Sequence, residues 1–292
     1  MARPEAKECP VLSRVFLVGC SRSGTTVVQR CLNAHPGITS FPETNFFGRL
    51  VGGWNGSLQA RLGRVRPDRW HSAFGHLAEV LERPGLAARE CDAGDFRLAV
   101  DAFVRALDKV AVERDARVWV EKTPKHYRYS RLLERTVPDV RFIHLVRDGR
   151  DVVGSLVDRA RRYPGFERRL DPRAAARLWN EAVHAALRSQ GRPGHVLLAY
   201  EAFVGAPERE LRRLCNFLSL EYDPTMLSPQ SSAGIVTANE SWKSDVDKPI
   251  TRSRSKFDEV LTAREQRIVR KTLDWRAYHQ LFPNAVTDEW CR

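Results

Sequence analysis

The run Arg14-Val15-Phe16-Leu17-Val18-Gly19-Cys20-Ser21-Arg22-Ser23-Gly24-Thr25-Thr26 constrains this chain more than any other stretch. Four consecutive apolar residues, Val15 to Val18, read as a buried strand, and the pattern from Thr25 to Leu32 reads as a helix. Small residues make a tight turn between them, the strand–turn–helix unit of a parallel α/β sheet. Gly19 and Gly24 have the G-x-x-x-x-G spacing of a loop whose backbone N–H groups, at the head of a helix, face an anion. A nucleoside-triphosphatase loop would continue with Lys and Ser/Thr, but Thr25 and Thr26 stand here. Without that ammonium the loop suits one phosphate, with positive charge supplied by Arg22. Taken alone, the segment reads equally well as a turn with no ligand, so the choice falls to the rest of the chain.

Charge narrows the partners. The 292 residues carry a net charge of +12, which attracts a phosphorylated cofactor, an acidic acceptor, nucleic acid or a membrane surface. Many of the arginines (Arg159, Arg161, Arg162, Arg212 and Arg213 among them) fall on expected helices and read as solvated faces. With 42% apolar and 29% charged residues the chain is expected to fold as a soluble protein. The six cysteines are scattered, with no Cys/His spacing that suits a metal, so a reducing compartment is expected. Met1 to Ser13 lacks the apolar core of a signal peptide, and no run of 18 apolar residues occurs; a cytoplasmic protein without a membrane span is expected. No repeat or linker-like break divides the sequence, which favours one domain over residues 1–292 with its core at about 14–282.

In a parallel sheet the loops beyond the strands' carboxyl ends carry the chemistry. Glu43, in Pro42-Glu43-Thr44-Asn45, follows an extended piece from Ile38 to Phe41; it is a candidate general base, or equally a helix-start acid. Lys122 lies just past a strand ending near Val120, where a ligand-facing group or a surface lysine fits. A strand from Arg141 to Val146 contains His144, which reads as a core histidine. It ends at Arg147 and leads into a helix from about Gly149. Ser155 and Arg159 are four apart and share a face of that helix, so Arg147 and Ser155 can converge on a second anion, separate from the one at Gly24. A capped helix with surface arginines accounts for the same residues. Further helices are expected over 95–113, 171–190, 207–220 and 262–278, and a fifth strand over 196–201. Residues 48–94 have little clear period and read as short helices and loops that cap the site and shape an acceptor pocket, with Trp54 and Trp70 as lining; an ordinary insertion fits the same residues. The polar stretch 223–258 reads as a closing loop.

With both anion sites in view, the chain resembles the sulfotransferases that use 3′-phosphoadenosine 5′-phosphosulfate (PAPS). The likeness is greatest to the protein-tyrosine sulfotransferases and their bacterial relatives, and runs from Arg14 to about Phe282. The resemblance implies a P-loop-type parallel sheet flanked by helices. It assigns Arg22, Ser23, Gly24, Thr25 and Thr26 to the 5′-phosphosulfate, and Arg147 with Ser155, extended by Arg159, to the 3′-phosphate. Glu43 matches the catalytic base of the tyrosine enzymes, and Lys122, in Glu-Lys-Thr-Pro, matches the lysine that stabilises charge on the bridging oxygen. Tyr200 matches a tyrosine beside the cofactor, and Lys248, in Lys-Pro-Ile, a lysine of the closing loop; Ser241 is a candidate for the family's stabilising hydroxyl.

The function so implied is metal-independent, in-line transfer of a sulfuryl group from PAPS to a hydroxyl, with Glu43, Lys122 and Arg22 as catalytic residues. The acceptor is a small molecule, a glycan, a lipid head group or a peptide, and the sequence does not choose among them. Two rivals stand beside this reading. A P-loop kinase would need a Mg²⁺ ligand set that only Asp148 or Asp151 could begin. A basic nucleic-acid-binding protein is allowed by charge, but no recognition module accompanies it.

Overall fold

The computed structural model describes residues 13–52, 62–87, 94–163, 170–227 and 255–283, together with Val11, Ile235 and Ile250. The first half runs β1 (Ser13–Gly19), α1 (Thr25–Asn33), β2 (Ile38–Ser40), α2 (Phe46–Val51), α3 (Pro67–Val80), α4 (Phe96–Glu113) and β3 (Val118–Glu121). A 3-10 helix (Pro124–Tyr129) then leads through α5 (Ser130–Thr136), β4 (Val140–Val146), α6 (Gly149–Arg162) and α7 (Pro172–Ser189) to β5 (His195–Ala199). The remainder is helical: α8 (Tyr200–Gly205), α9 (Pro207–Leu218), α10 (Phe257–Val260), α11 (Ala263–Thr272) and α12 (Trp275–Leu281).

The five strands form one parallel sheet in the order β2-β3-β1-β4-β5. Alternation along the strands sends residues to two separate cores, as a sheet covered on both faces requires. Phe16, Trp119 and Phe142 point to one side, where α4 and α7 cover them with Phe103, Leu107, Trp179 and Val183. Val15, Leu17, Val120 and Ile143 point to the other, against Val28 and Leu32 of α1 and Leu211 and Leu214 of α9. Phe16 is central to the first core: its ring centroid lies 5.5 Å from that of Trp119 and 5.6 Å from that of Phe142. His144 is buried in β4 and meets His195 at 3.0 Å; burial foremost, and then His195, holds its pKa down at about 3, as befits a neutral core histidine.

Because every strand runs the same way, the loops after β1, β2, β3, β4 and β5 all leave from one edge of the sheet. The chain steps from β1 outward to β2 on one side and later to β4 on the other, which opens a crevice beyond β1.

Three expectations are corrected. The helix expected over 262–278 is two helices: Leu273 is extended, and Asp274 caps α12 by accepting from the Ala277 N–H at 3.1 Å. The strand expected over 196–201 ends at Ala199, so Tyr200 and Glu201 open α8. Within 48–94, expected as short helices and loops, α3 is a helix of 14 residues whose Trp70, Ala73, Phe74 and Leu77 follow helical spacing and are buried. Trp70 is 3% exposed and packs on Phe74, in the core instead of lining a pocket. Trp54 lies outside the described residues.

Helix α6 reaches its place by close backbone approach. A Cβ on Gly154 would stand 2.8 Å from the Phe257 nitrogen and 2.9 Å from the Lys256 carbonyl carbon, both main-chain atoms. Gly154→Ala is therefore expected to destabilise the fold by about 1–3 kcal/mol and lower the thermal midpoint by several degrees. Gly48→Ala, where the added methyl meets nothing within 4 Å, should leave the midpoint unchanged or raised; parallel thermal melts of the two variants check this.

Candidate active site

The loop after β1 turns tightly into the head of a helix. Ser23 N–H turns back to the Cys20 carbonyl at 3.2 Å, and Gly24, with φ 97°, opens α1. No acidic residue occupies the first turn of α1, so the positive end of the helix meets no opposing charge from its own sequence. Ser23 is 1% exposed, yet its hydroxyl has no hydrogen-bond partner among the described residues. Buried hydroxyls are ordinarily paired, and a ligand oxygen would satisfy this one. Thr25 is buried beside it and Thr26 half-buried.

Tyr200 forms a wall of the crevice. A Cβ on Gly24 would lie 2.4 Å from Tyr200 Cε2, so only glycine lets that ring rest on the loop. The Arg147 guanidinium carbon lies 4.4 Å from the centroid of the same ring, within cation–π range. Arg147 is itself 8% exposed; its Nη2 donates to Asp151 Oδ2 at 2.8 Å, and its carbonyl accepts from Trp179 Nε1 at 2.8 Å.

Arg22 joins the two halves. Its φ of 73° is left-handed, a conformation uncommon for a residue with a Cβ. Its Nε donates to Ser155 Oγ at 3.0 Å. The loop after β1 and helix α6, expected to serve two separate anions, thus adjoin: one side chain of the first touches the hydroxyl expected to serve the second site. Arg159 follows on the same face of α6, half-buried. Asp148 caps that helix and pairs with Arg150 at 2.7 Å, so both acids available to a Mg²⁺-dependent reading are engaged by arginines.

On the other side of β1, the loops after β2 and β3 bring Glu43 and Lys122 together. Lys122 is fully buried, the Glu43 side chain is 25% exposed, and Nζ stands 2.5 Å from Glu43 Oε1. A surface lysine is thereby ruled out. Lys248 and Ser241 lie outside the described residues.

Several supporting residues went unnoticed in the sequence. Gln29 of α1 is buried and donates to Ser40 Oγ at 2.8 Å and to the Phe41 carbonyl at 2.7 Å, tying the loop that carries Glu43 to the helix of the anion loop. Glu121, the last residue of β3, is fully buried. Burial pushes its carboxyl up, but the His126 ring and the hydroxyls of Thr123 and Thr44 outweigh burial and hold it below the ordinary carboxylate range. An acid closing an otherwise apolar strand was the available signal, since a buried carboxylate must find partners.

Comparison with known proteins agrees with this geometry. Residues 14–224 match the sulfotransferase family. Protein-tyrosine sulfotransferase 2 of Gallus gallus is 28% identical over 234 residues, a span covering 78% of this chain and 56% of that protein. The chain thus spans little more than half the length of that relative. Among solved structures, the sulfotransferase domain of the Synechococcus PCC 7002 olefin synthase shares the fold with a TM-score of 0.57 at 20% identity, covering 92% of this chain and 97% of that domain. A mouse sulfotransferase complexed with PAP gives a TM-score of 0.53 at 13% identity, covering 94% of this chain and 84% of its own. Loop, sheet order and family match converge, and the chain belongs to the sulfotransferase family.

Proposed function

We propose that this chain transfers a sulfuryl group from PAPS to an acceptor hydroxyl, with Glu43 as general base and Lys122 and Arg22 stabilising the departing 5′-phosphate. The observation that carries the reading is the contact between Arg22 and Ser155, beside a Tyr200 ring that touches both Gly24 and Arg147. It sets two anion-binding elements side by side, which suits a nucleoside phosphorylated at both ends better than a triphosphate. The relatives named for protein tyrosine and the mouse neighbour complexed with PAP support the same assignment.

PAPS, when bound, supplies the activated sulfuryl group. The protein's part is to hold and to neutralise. Ser23 Oγ, Arg22 and the backbone N–H groups opening α1 receive the 5′-phosphosulfate, with Thr25 and Thr26 at the helix start. Arg147, Ser155 and Arg159 receive the 3′-phosphate, Tyr200 flanks the nucleotide, and Lys248 is assigned to the closing loop. The Lys122–Glu43 contact, an ammonium beside a carboxylate, supports a reading in which the acceptor hydroxyl gives up its proton to Glu43 while Lys122 faces the leaving oxygen. A sulfuryl group carries less charge than a phosphoryl, so these groups suffice without a metal. The proposal includes a peptide tyrosine, a sugar, a phenol or a lipid head group as the acceptor. It also includes a cytoplasmic setting, with which the buried thiols of Cys31 and Cys215 are in keeping.

Transfer of labelled sulfate from PAPS to a tyrosine-containing peptide, a phenol and a glycan tests the activity. Glu43→Ala is expected to lower kcat by roughly 10²–10⁴-fold while leaving affinity for adenosine 3′,5′-bisphosphate unchanged; normal turnover would remove Glu43 from the mechanism. Ser155→Ala is expected to weaken adenosine 5′-phosphate as well as the bisphosphate, by roughly 10-fold, because it also releases Arg22. Unchanged affinity for adenosine 5′-phosphate would show that Ser155 serves the 3′-phosphate alone.

A further inference from the structure

Behind the Glu43–Lys122 pair, one buried carboxylate touches both chain segments that carry it. Glu121 Oε1 accepts from the Thr44 hydroxyl at 2.8 Å and from the Thr123 hydroxyl at 2.5 Å, and Oε2 accepts from His126 Nδ1 at 2.8 Å. Thr44 is the residue after Glu43, and Thr123 the residue after Lys122. The two threonines are tied in further: Asn45 N–H donates to Thr123 Oγ1 at 3.2 Å, and Phe46 N–H to Thr44 Oγ1 at 3.3 Å. His126 is 1% exposed and wedged edge-on against Phe16 and Phe47, so the third donor is anchored in the aromatic core.

We propose that Glu121 is a positioning residue for sulfuryl transfer: its carboxylate clamps Thr44 to Thr123 and thereby fixes Glu43 and Lys122 at their working separation. This rests on the roles given above to Glu43 and Lys122. A strand end that needed only packing would be served by an apolar residue, since burying a charge is costly unless every lone pair is met. Here the three donors come from two segments: Thr44 from the loop after β2, and Thr123 and His126 from the run that follows β3 into the 3-10 helix. The ion pair they surround is made by side chains on those two segments. A shift of about 1 Å in such a pair is enough to cost roughly 10²-fold in rate.

The test uses the full chain. Glu121→Gln is expected to lower kcat by about 10²-fold, with KM for PAPS and affinity for adenosine 3′,5′-bisphosphate within about 2-fold of wild type. In the Glu43→Ala background the same change should lower kcat by clearly less, because the clamp acts through the residue already removed. Parallel losses of donor affinity and thermal midpoint, with kcat per folded molecule unchanged, would overturn the proposal. Should Glu121→Gln fail to fold, Thr44→Val carries the test: a fall in its kcat with Thr44→Ser unaffected supports the clamp, and a normal kcat for Thr44→Val overturns it. A fall for Glu121→Gln alongside normal turnover of Glu43→Ala would place the clamp's action on Lys122 and remove Glu43 as base, so the two failures are told apart.

Discussion

A guanidinium on a left-handed residue holds the crevice together. Arg22 takes φ 73°, which for an L-residue costs about 1 kcal/mol or more. The hydrogen bond from its Nε to Ser155 Oγ, a contact with a charged donor, contributes about 1.5–3 kcal/mol in typical cases and is enough to offset that cost. The bond has a geometric consequence. The loop after β1 and the helix after β4 are separate pieces of chain, yet neither can shift without disturbing the other. Tyr200 adds a second tie, its ring lying on Gly24 and beside Arg147. Most of the site's geometry follows from these two ties and from the parallel sheet that brings five strand ends to one edge.

The other half of the crevice is held by different chemistry. Buried hydroxyls, a carboxylate and a carboxamide connect α1, β2 and β3 through Gln29, Ser40, Thr44 and Glu121. These groups are out of water, so each must be satisfied by a specific partner, and that requirement fixes the backbone more tightly than apolar packing alone. The Glu43–Lys122 pair sits on this rigid base. The two halves of the crevice, each braced by its own network, meet over β1.

Much of this was readable in the sequence, for physical reasons. Fully buried parallel strands are short apolar runs, so β1 and β4 stood out, as did helix α4 from its apolar spacing and α7 from its cap at Asp171. Residues at strand ends can be located by counting, which is how Arg22, Glu43, Lys122 and Arg147 were placed at one edge of the sheet, whereas Tyr200 was expected inside β5. What was missed depends on contacts between distant segments. The adjacency of Arg22 and Ser155, 133 positions apart, leaves no trace in local spacing. The bounds of α3 were not read within the short helices expected over 48–94, although Trp70, Phe74 and Leu77 carried its period. The break at Leu273 needed Asp274 to be recognised as a helix cap. Glu121 looked like one more charge in Glu-Lys-Thr-Pro, because burial is a property of the fold and not of the residue type.

Titration calorimetry of the full chain with adenosine 3′,5′-bisphosphate, adenosine 5′-phosphate and ATP with Mg²⁺ tests most directly whether the adjoining anion sites grip both ends of one nucleoside. The bisphosphate is expected to bind about 10²-fold more tightly than adenosine 5′-phosphate, each charge-assisted contact to the 3′-phosphate adding to the difference. ATP is expected to bind weakly whether or not Mg²⁺ is present. Tight, Mg²⁺-dependent binding of ATP with no preference for the bisphosphate would contradict it.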